Sequence, residues 1–205
     1  MCHIVLHPSK SFLAFFQYQE SYQLIFYKKT GVIKKILLKA FQQIDAMISH
    51  YSKVTVVLLQ LHQATPSRTS NPLTNMLSKL KAKLKAHYGC KVGYFWVREQ
   101  NNALSQHYHM AVMVNGHKCQ SSKLIDLATQ AYWENLNPDN FSFKVRNRIY
   151  RIRNDDGGHE LRAVRMRLSY MAKKEGKSQF AKNTHIFGSS HIQQKVATLK
   201  ARSPK

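Results

Sequence analysis

His107 and His109 stand on either side of one tyrosine at the head of the apolar run His107–Val114, and Glu99 precedes the pair by eight residues. Positions i and i+2 of a β-strand project to the same face. Both imidazoles would leave the sheet together, their Cα atoms roughly 6–7 Å apart at the strand rise. That spacing lets two rings converge on one divalent cation, and Glu99, closing a preceding strand, would be the third donor. Two imidazoles and a carboxylate leave positions on the ion open, as a catalytic site requires and a structural one does not. The donor set suits Mg²⁺ or Mn²⁺ during turnover and holds Zn²⁺, Ni²⁺ or Co²⁺ more tightly. A His-x-His pair on a strand also occurs by coincidence in proteins that bind no metal. His62, ending an earlier apolar run, reads either as a further donor or as a polar strand end.

A second group lies downstream. Tyr170 is three residues before Lys173 and four before Lys174, spacings that share one surface of a helix. A phenol has a pKa near 10 and is a poor nucleophile at neutral pH; an adjacent ammonium stabilises its phenolate and a metal polarises the phosphate it attacks. The same tyrosine could equally pack in a helix–sheet seam. Charge narrows the substrate class: 32 Lys and Arg against 10 Asp and Glu give the 205-residue chain a formal charge of +22. Such an excess points to a polyanion, nucleic acid ahead of an anionic membrane. Lys144, Arg146, Arg148, Arg151 and Arg153 recur along one expected strand, Arg162, Arg165 and Arg167 along the tyrosine helix, and Lys173, Lys174, Lys177 and Lys182 beyond it. Phe141, Phe143, Tyr150 and Phe180 are interleaved. Cations along a backbone with aromatic stacking surfaces suit a single strand.

The elements that must position these groups can be read from periodicity. Residues 1–31 are rich in aromatics without a clean period, and Val32–Tyr51 repeats its apolar residues at helical spacing. Val54–Leu61 is a β-branched run suited to a buried strand. Pro72 to Tyr88 reads as a helix with Asn71 as cap and Gly89 as stop. Strands are expected over Val92–Glu99, His107–Val114 and Phe141–Arg153, with helices from Ser121 or Ser122 to about Asn135 and over Glu160–Glu175. This order predicts an α+β fold: an antiparallel sheet with a ferredoxin/RRM-like split βαβ core. The divisions expected are an N-terminal helical extension (1–52), the core domain (53–190) and a basic tail (191–205). Cys2, Cys90 and Cys119 lack CxxC spacing and read as reduced thiols. With no run of about 18 apolar residues and no basic segment leading into an apolar one, the expected location is the cytoplasm.

With these residues in view, four blocks in order resemble the inovirus-type, YagK/YfjJ-like replication initiators, a family of HUH endonucleases. They are Gly93-Tyr-Phe-Trp-Val-Arg-Glu99-Gln, His107-Tyr-His-Met-Ala-Val-Met-Val, Ser169-Tyr170-Met-Ala-Lys173 and Ile186-Phe-Gly188-Ser-Ser. The resemblance covers roughly residues 53–190 and implies a five-stranded antiparallel sheet carrying the site. It implies His107, His109 and Glu99 as ligands of Mg²⁺ or Mn²⁺, Tyr170 as nucleophile and Lys173 at the scissile phosphate. Lys174, Arg165, Arg167, Arg151 and Lys177 would contact DNA. The implied activity is a single-tyrosine nickase that forms a 5′-phosphotyrosine on single-stranded origin DNA for rolling-circle replication. The sequence carries no helicase or Walker motif, so strand separation would fall to a host helicase or to DNA topology, and no small-molecule cofactor is expected. A transposase or relaxase would use the same chemistry, and a nucleic-acid-binding regulator without catalysis is the reading from another class. The resemblance gives no role to His62, the Gly188 block or residues 1–50.

Overall fold

The computed structural model describes residues 3–100, 105–177, 180 and 184–195. Cys2, Lys182, most of the link joining the histidine strand to Glu99, and the tail beyond 195 lie outside the described residues. The observed class is α+β with antiparallel pairing throughout. Three strands open the chain: β1 (Ile4–Leu6), β2 (Leu13–Tyr18) and β3 (Ser21–Phe26), forming a small sheet in that order. They are followed by α1 (Lys34–His50), β4 (Lys53–His62), α2 (Asn71–Tyr88), β5 (Gly93–Glu99), β6 (His107–Asn115) and α3 (Lys123–Glu134). Then come β7 (Phe141–Phe143), β8 (Ile149–Arg153), α4 (His159–Ser169), a 3-10 turn over Tyr170–Ala172, and β9 (Phe187–Ser189). The larger sheet runs β7-β4-β6-β5-β9, and β8 also pairs with β4.

Strand alternation divides the core into two layers. Val54, Val56 and Leu58 of β4, Ala111 and Met113 of β6, and Phe95 and Val97 of β5 face α1, α4 and the small sheet. Val57, Leu59 and Leu61, with Tyr108, Met110, Val112 and Trp96, face α2 and α3. The continuous apolar runs of β4 and β6 follow from this burial on both faces. No described helix is long and apolar enough to cross a membrane. Cys90 and Cys119 are buried free thiols.

Several expectations need correction. Residues 4–26 form a three-stranded sheet in place of a helical extension, and the larger sheet has six strands where five were implied. The expected strand over Phe141–Arg153 is two strands on one neighbour: β7 opposes Gln60–His62 and β8 opposes Lys53–Val57. Asn147 at φ 51° breaks the run, and Arg148 turns away to bind Asp126 at 2.8 and 2.6 Å. Helix α4 stops at Ser169, whose Oγ donates to the Met166 carbonyl (2.6 Å) and accepts the Phe26 amide (2.7 Å).

Arg165, expected on a DNA-binding surface, points inward. Its guanidinium pairs with Asp45 of α1 and lies over the Tyr18 and Phe41 rings at 5.2 and 5.5 Å. Tyr18 donates to the other Asp45 oxygen at 2.6 Å; burial first, and then that carboxylate, push the phenol's pKa up. The cluster ties β2, α1 and α4 together. Gly188 has a packing role: an added Cβ would lie 2.7 Å from Trp96 Nε1 and 2.8 Å from its ring carbons. The Gly188 block therefore brings β9 close against the indole of β5.

Arg165→Ala is expected to destabilise the protein by about 3–5 kcal/mol, because it strands a buried carboxylate. Arg167→Ala, two residues on and exposed, should stay within about 0.5 kcal/mol in the same urea unfolding experiment. Gly188→Val should cost about 1–3 kcal/mol by overpacking against Trp96; an unchanged midpoint would remove that contact from the account.

Candidate metal and nucleophile site

Strand register builds the first half of the site. In the β5–β6 hairpin Glu99 lies opposite His107, and in the β4–β6 pair His62 lies opposite His107 and Gln60 opposite His109. All of them share the face that carries α4. Among the described residues, Glu99, His107 and His109 form the one group able to offer three metal donors, their ligand atoms all within 4.8 Å of one another.

Glu99 is completely buried. Its Oε1 accepts a hydrogen bond from Lys177 Nζ at 2.7 Å. Its Oε2 lies 3.3 Å from His109 Nε2, 3.7 Å from His107 Nε2 and 3.2 Å from Lys173 Nζ, yet accepts no well-directed hydrogen bond. Ligands each about 2.1 Å from one ion stand roughly 3–3.5 Å apart, close to these separations. A buried carboxylate oxygen without a hydrogen bond, faced by two imidazole nitrogens, fits a divalent cation. Burial would raise the Glu99 pKa, but the two imidazoles and the Lys177 charge overcome it and hold the carboxyl well below its ordinary range. Burial lowers the His109 pKa against the pull of Glu99, which favours the neutral form a ligand needs.

The second half comes from the segment after α4. Tyr170 opens the 3-10 turn and is half-buried. Its ring stands edge-on to His109 at 6.2 Å and to Phe26 at 5.0 Å. Lys173 Nζ donates to the Tyr170 hydroxyl at 2.9 Å and lies 4.1 Å from the ring centroid. One ammonium therefore bridges the phenol and the Glu99 carboxylate. Burial opposes its charge, but the Tyr170 hydrogen bond and Glu99 prevail and raise its pKa. Gln60, His107, His109, Arg167, Tyr170 and Lys173 line one cavity of about 330 Å³.

The N-terminal segment holds this tyrosine segment in place. Lys173 bridges to Val32, Ile33 N donates to the Ala172 carbonyl at 2.7 Å, and Lys174 N donates to the Gly31 carbonyl at 3.1 Å. Lys28 pairs with Glu175 at 2.6 Å. Nothing in the composition of residues 1–31 pointed to this role.

Other expected contacts disperse. Lys177 is buried inside the site, donating also to the Lys173 carbonyl at 2.8 Å. Burial depresses its pKa although Glu99 pulls the other way. Arg151 is exposed on β8 and donates to the Gln120 carbonyl at 2.9 Å, on the α3 side of the sheet. Lys174 is exposed near Gly31. His62 joins the site by stacking: its ring is parallel to His107 at 5.5 Å and to Phe141 at 4.5 Å. Burial, and then the two neighbouring histidines, lower its pKa.

Calorimetric titration with Mn²⁺ should give one site per chain, lost in the His107→Ala/His109→Ala double variant. Lys177→Met should lower stability by about 3 kcal/mol, since it removes a partner of a buried charge. The same variant should bind Mn²⁺ several-fold more tightly, because it frees Glu99 Oε1 and deletes a competing cation. Unchanged affinity in both variants would place the ion elsewhere.

The family model described as the YagK/YfjJ C-terminal domain matches residues 17–190. The match begins upstream of residue 53, so it takes in β3 and α1, which carry or adjoin the tyrosine segment's supports. Neither the curated proteins nor the solved structures yield a match. The chain belongs to the YagK/YfjJ C-terminal domain family.

Proposed function

We propose that this protein is an HUH-type, single-tyrosine DNA nickase of the replication-initiator class, built on a split βαβ core. The observation that carries the reading is Lys173, whose ammonium reaches the Tyr170 hydroxyl at 2.9 Å and Glu99 Oε2 at 3.2 Å. A candidate nucleophile and a candidate metal set thereby share one cation in one cavity.

Glu99, His107 and His109 would hold Mg²⁺ or Mn²⁺, and the bound ion would polarise the scissile phosphate and offset its charge. Tyr170 loses its proton to solvent while the Lys173 ammonium steadies the phenolate. The Tyr170 oxygen then bonds to phosphorus as the bond from phosphorus to the 3′ oxygen breaks. The products are a 5′-phosphotyrosine and a DNA 3′ oxygen that takes up a proton to become a primer hydroxyl. Attack by a 3′-OH reverses the step and recloses a strand. Lys177 keeps Glu99 oriented, and Arg167 at the cavity wall supplies positive charge for a phosphate. In this role the protein acts on single-stranded origin DNA in the cytoplasm, beside a host helicase, in rolling-circle replication.

Incubation with Mn²⁺ and single-stranded DNA carrying the cognate origin should yield a covalent protein–DNA adduct resistant to denaturing electrophoresis. Tyr170→Phe should abolish it and Lys173→Met should slow its formation at least 100-fold, in line with loss of an activating group. An adduct that survives in Tyr170→Phe removes Tyr170 from the mechanism. Strand ends belonging to a transposable element or a transfer origin would reassign the substrate to a transposase or relaxase. Metal-independent binding with no adduct would leave a regulator.

A further inference from the structure

At the β7 edge of the site two large aromatics are more than half exposed: Phe141 at 51% and Phe143 at 54%. Phe141 lies opposite His62 and Phe143 opposite Gln60, so by alternation both side chains stand on the metal face of the sheet. Phe141, His62 and His107 form a continuous stack, with interplanar angles of 4° and 16°. The stack leads from the open sheet edge to a metal ligand. His62 covers one face of Phe141, and about half of the residue stays exposed. The loop leaving β7 carries exposed Lys144 and Arg146, with Val145 between them lining the cavity, and exposed Arg167 borders the same cavity. Exposed phenyl rings on an edge strand attract non-specific association unless something uses them.

We infer that Phe141 and Phe143 form a base-stacking platform for single-stranded nucleic acid, holding bases next to the phosphate that reaches His107 and His109. This rests on the proposed nicking function and adds a subsite to it. The flat rings match the π-face that every base presents, and the neighbouring cations match the phosphates between bases. His62 acts as a positioning residue, backing Phe141 from the metal side. A folded apolar partner would not call for cations spaced among the rings.

Fluorescence anisotropy with a fluorescein-labelled oligothymidylate 20-mer, without divalent metal, tests the platform apart from catalysis. Phe141→Ala and Phe143→Ala should each weaken binding about five- to one-hundred-fold. The slope of log Kd against log salt should stay unchanged, because no phosphate contact is lost. Phe143→Tyr should retain affinity, and a 2-aminopurine reporter quenched by the wild type should brighten in the alanine variants. Both rings are exposed, so thermal unfolding should match the wild type. The platform is overturned if both alanine variants bind within twofold of wild type, or if the wild type fails to bind. A shift in sedimentation on either substitution would likewise overturn it and assign the rings to a protein interface. An intact Tyr170 adduct with unaltered alanine-variant binding removes the platform and leaves the nickase; weakened binding with no adduct does the reverse.

Discussion

A fully buried carboxylate must have its charge answered inside the protein, and Glu99 is such a group. Two lysines and two imidazoles answer it, drawn from regions far apart in sequence. The histidines arrive through the β5–β6 hairpin, while Lys173 and Lys177 come from the segment that follows α4. Lys173 reaches one oxygen of that carboxylate and Lys177 the other. Because Lys173 also holds the Tyr170 hydroxyl, the position of the phenol is set by the same anion.

The anion does not act alone in placing that segment. Phe26, Gly31, Val32 and Ile33 supply backbone groups that pin residues 169–174 from the opposite side. The Arg165–Asp45–Tyr18 cluster fixes α4 against α1 and β2. The N-terminal sheet is therefore part of the frame around the tyrosine, in keeping with a family match that begins at residue 17.

What could be read from the sequence was what local periodicity governs. Alternation placed His107 and His109 on one face, and the hairpin brings Glu99 opposite His107; both follow from strand geometry within a single stretch of chain. Helices α1 and α2 followed from apolar spacing, and α3 was placed by the serines that precede it. The small N-terminal sheet was illegible because its hairpin turns at Gln19, at φ 54°, without the Asn-Gly or Asp-Gly pair that marks such turns. The end of α4 carries no Gly or Pro, and the Ser169 hydroxyl there accepts a distant amide that sequence spacing does not reveal. Arg165 and Lys177 looked like surface cations because composition cannot say which of many basic residues meets one of the few buried acids. The stacking of His62 depended on a β7 register that the unbroken reading of Phe141–Arg153 concealed.

The two halves of the site also differ in how much chain must close to make them. Glu99 and His107 belong to one hairpin, whereas the Phe26–Ser169 hydrogen bond spans 143 residues. Closing a loop of that length costs roughly 2–3 kcal/mol more than closing the hairpin, on the logarithmic scaling of loop entropy. The donor set is thus closed by local contacts and the tyrosine segment by long-range ones, which carry the larger loop-closure cost. In reverse, a partial opening that releases residues 169–177 would leave a sheet with its histidines in register and Tyr170 displaced from them. Such a form would keep the Glu99, His107 and His109 group in register while the Tyr170–Lys173 pair is withdrawn from it.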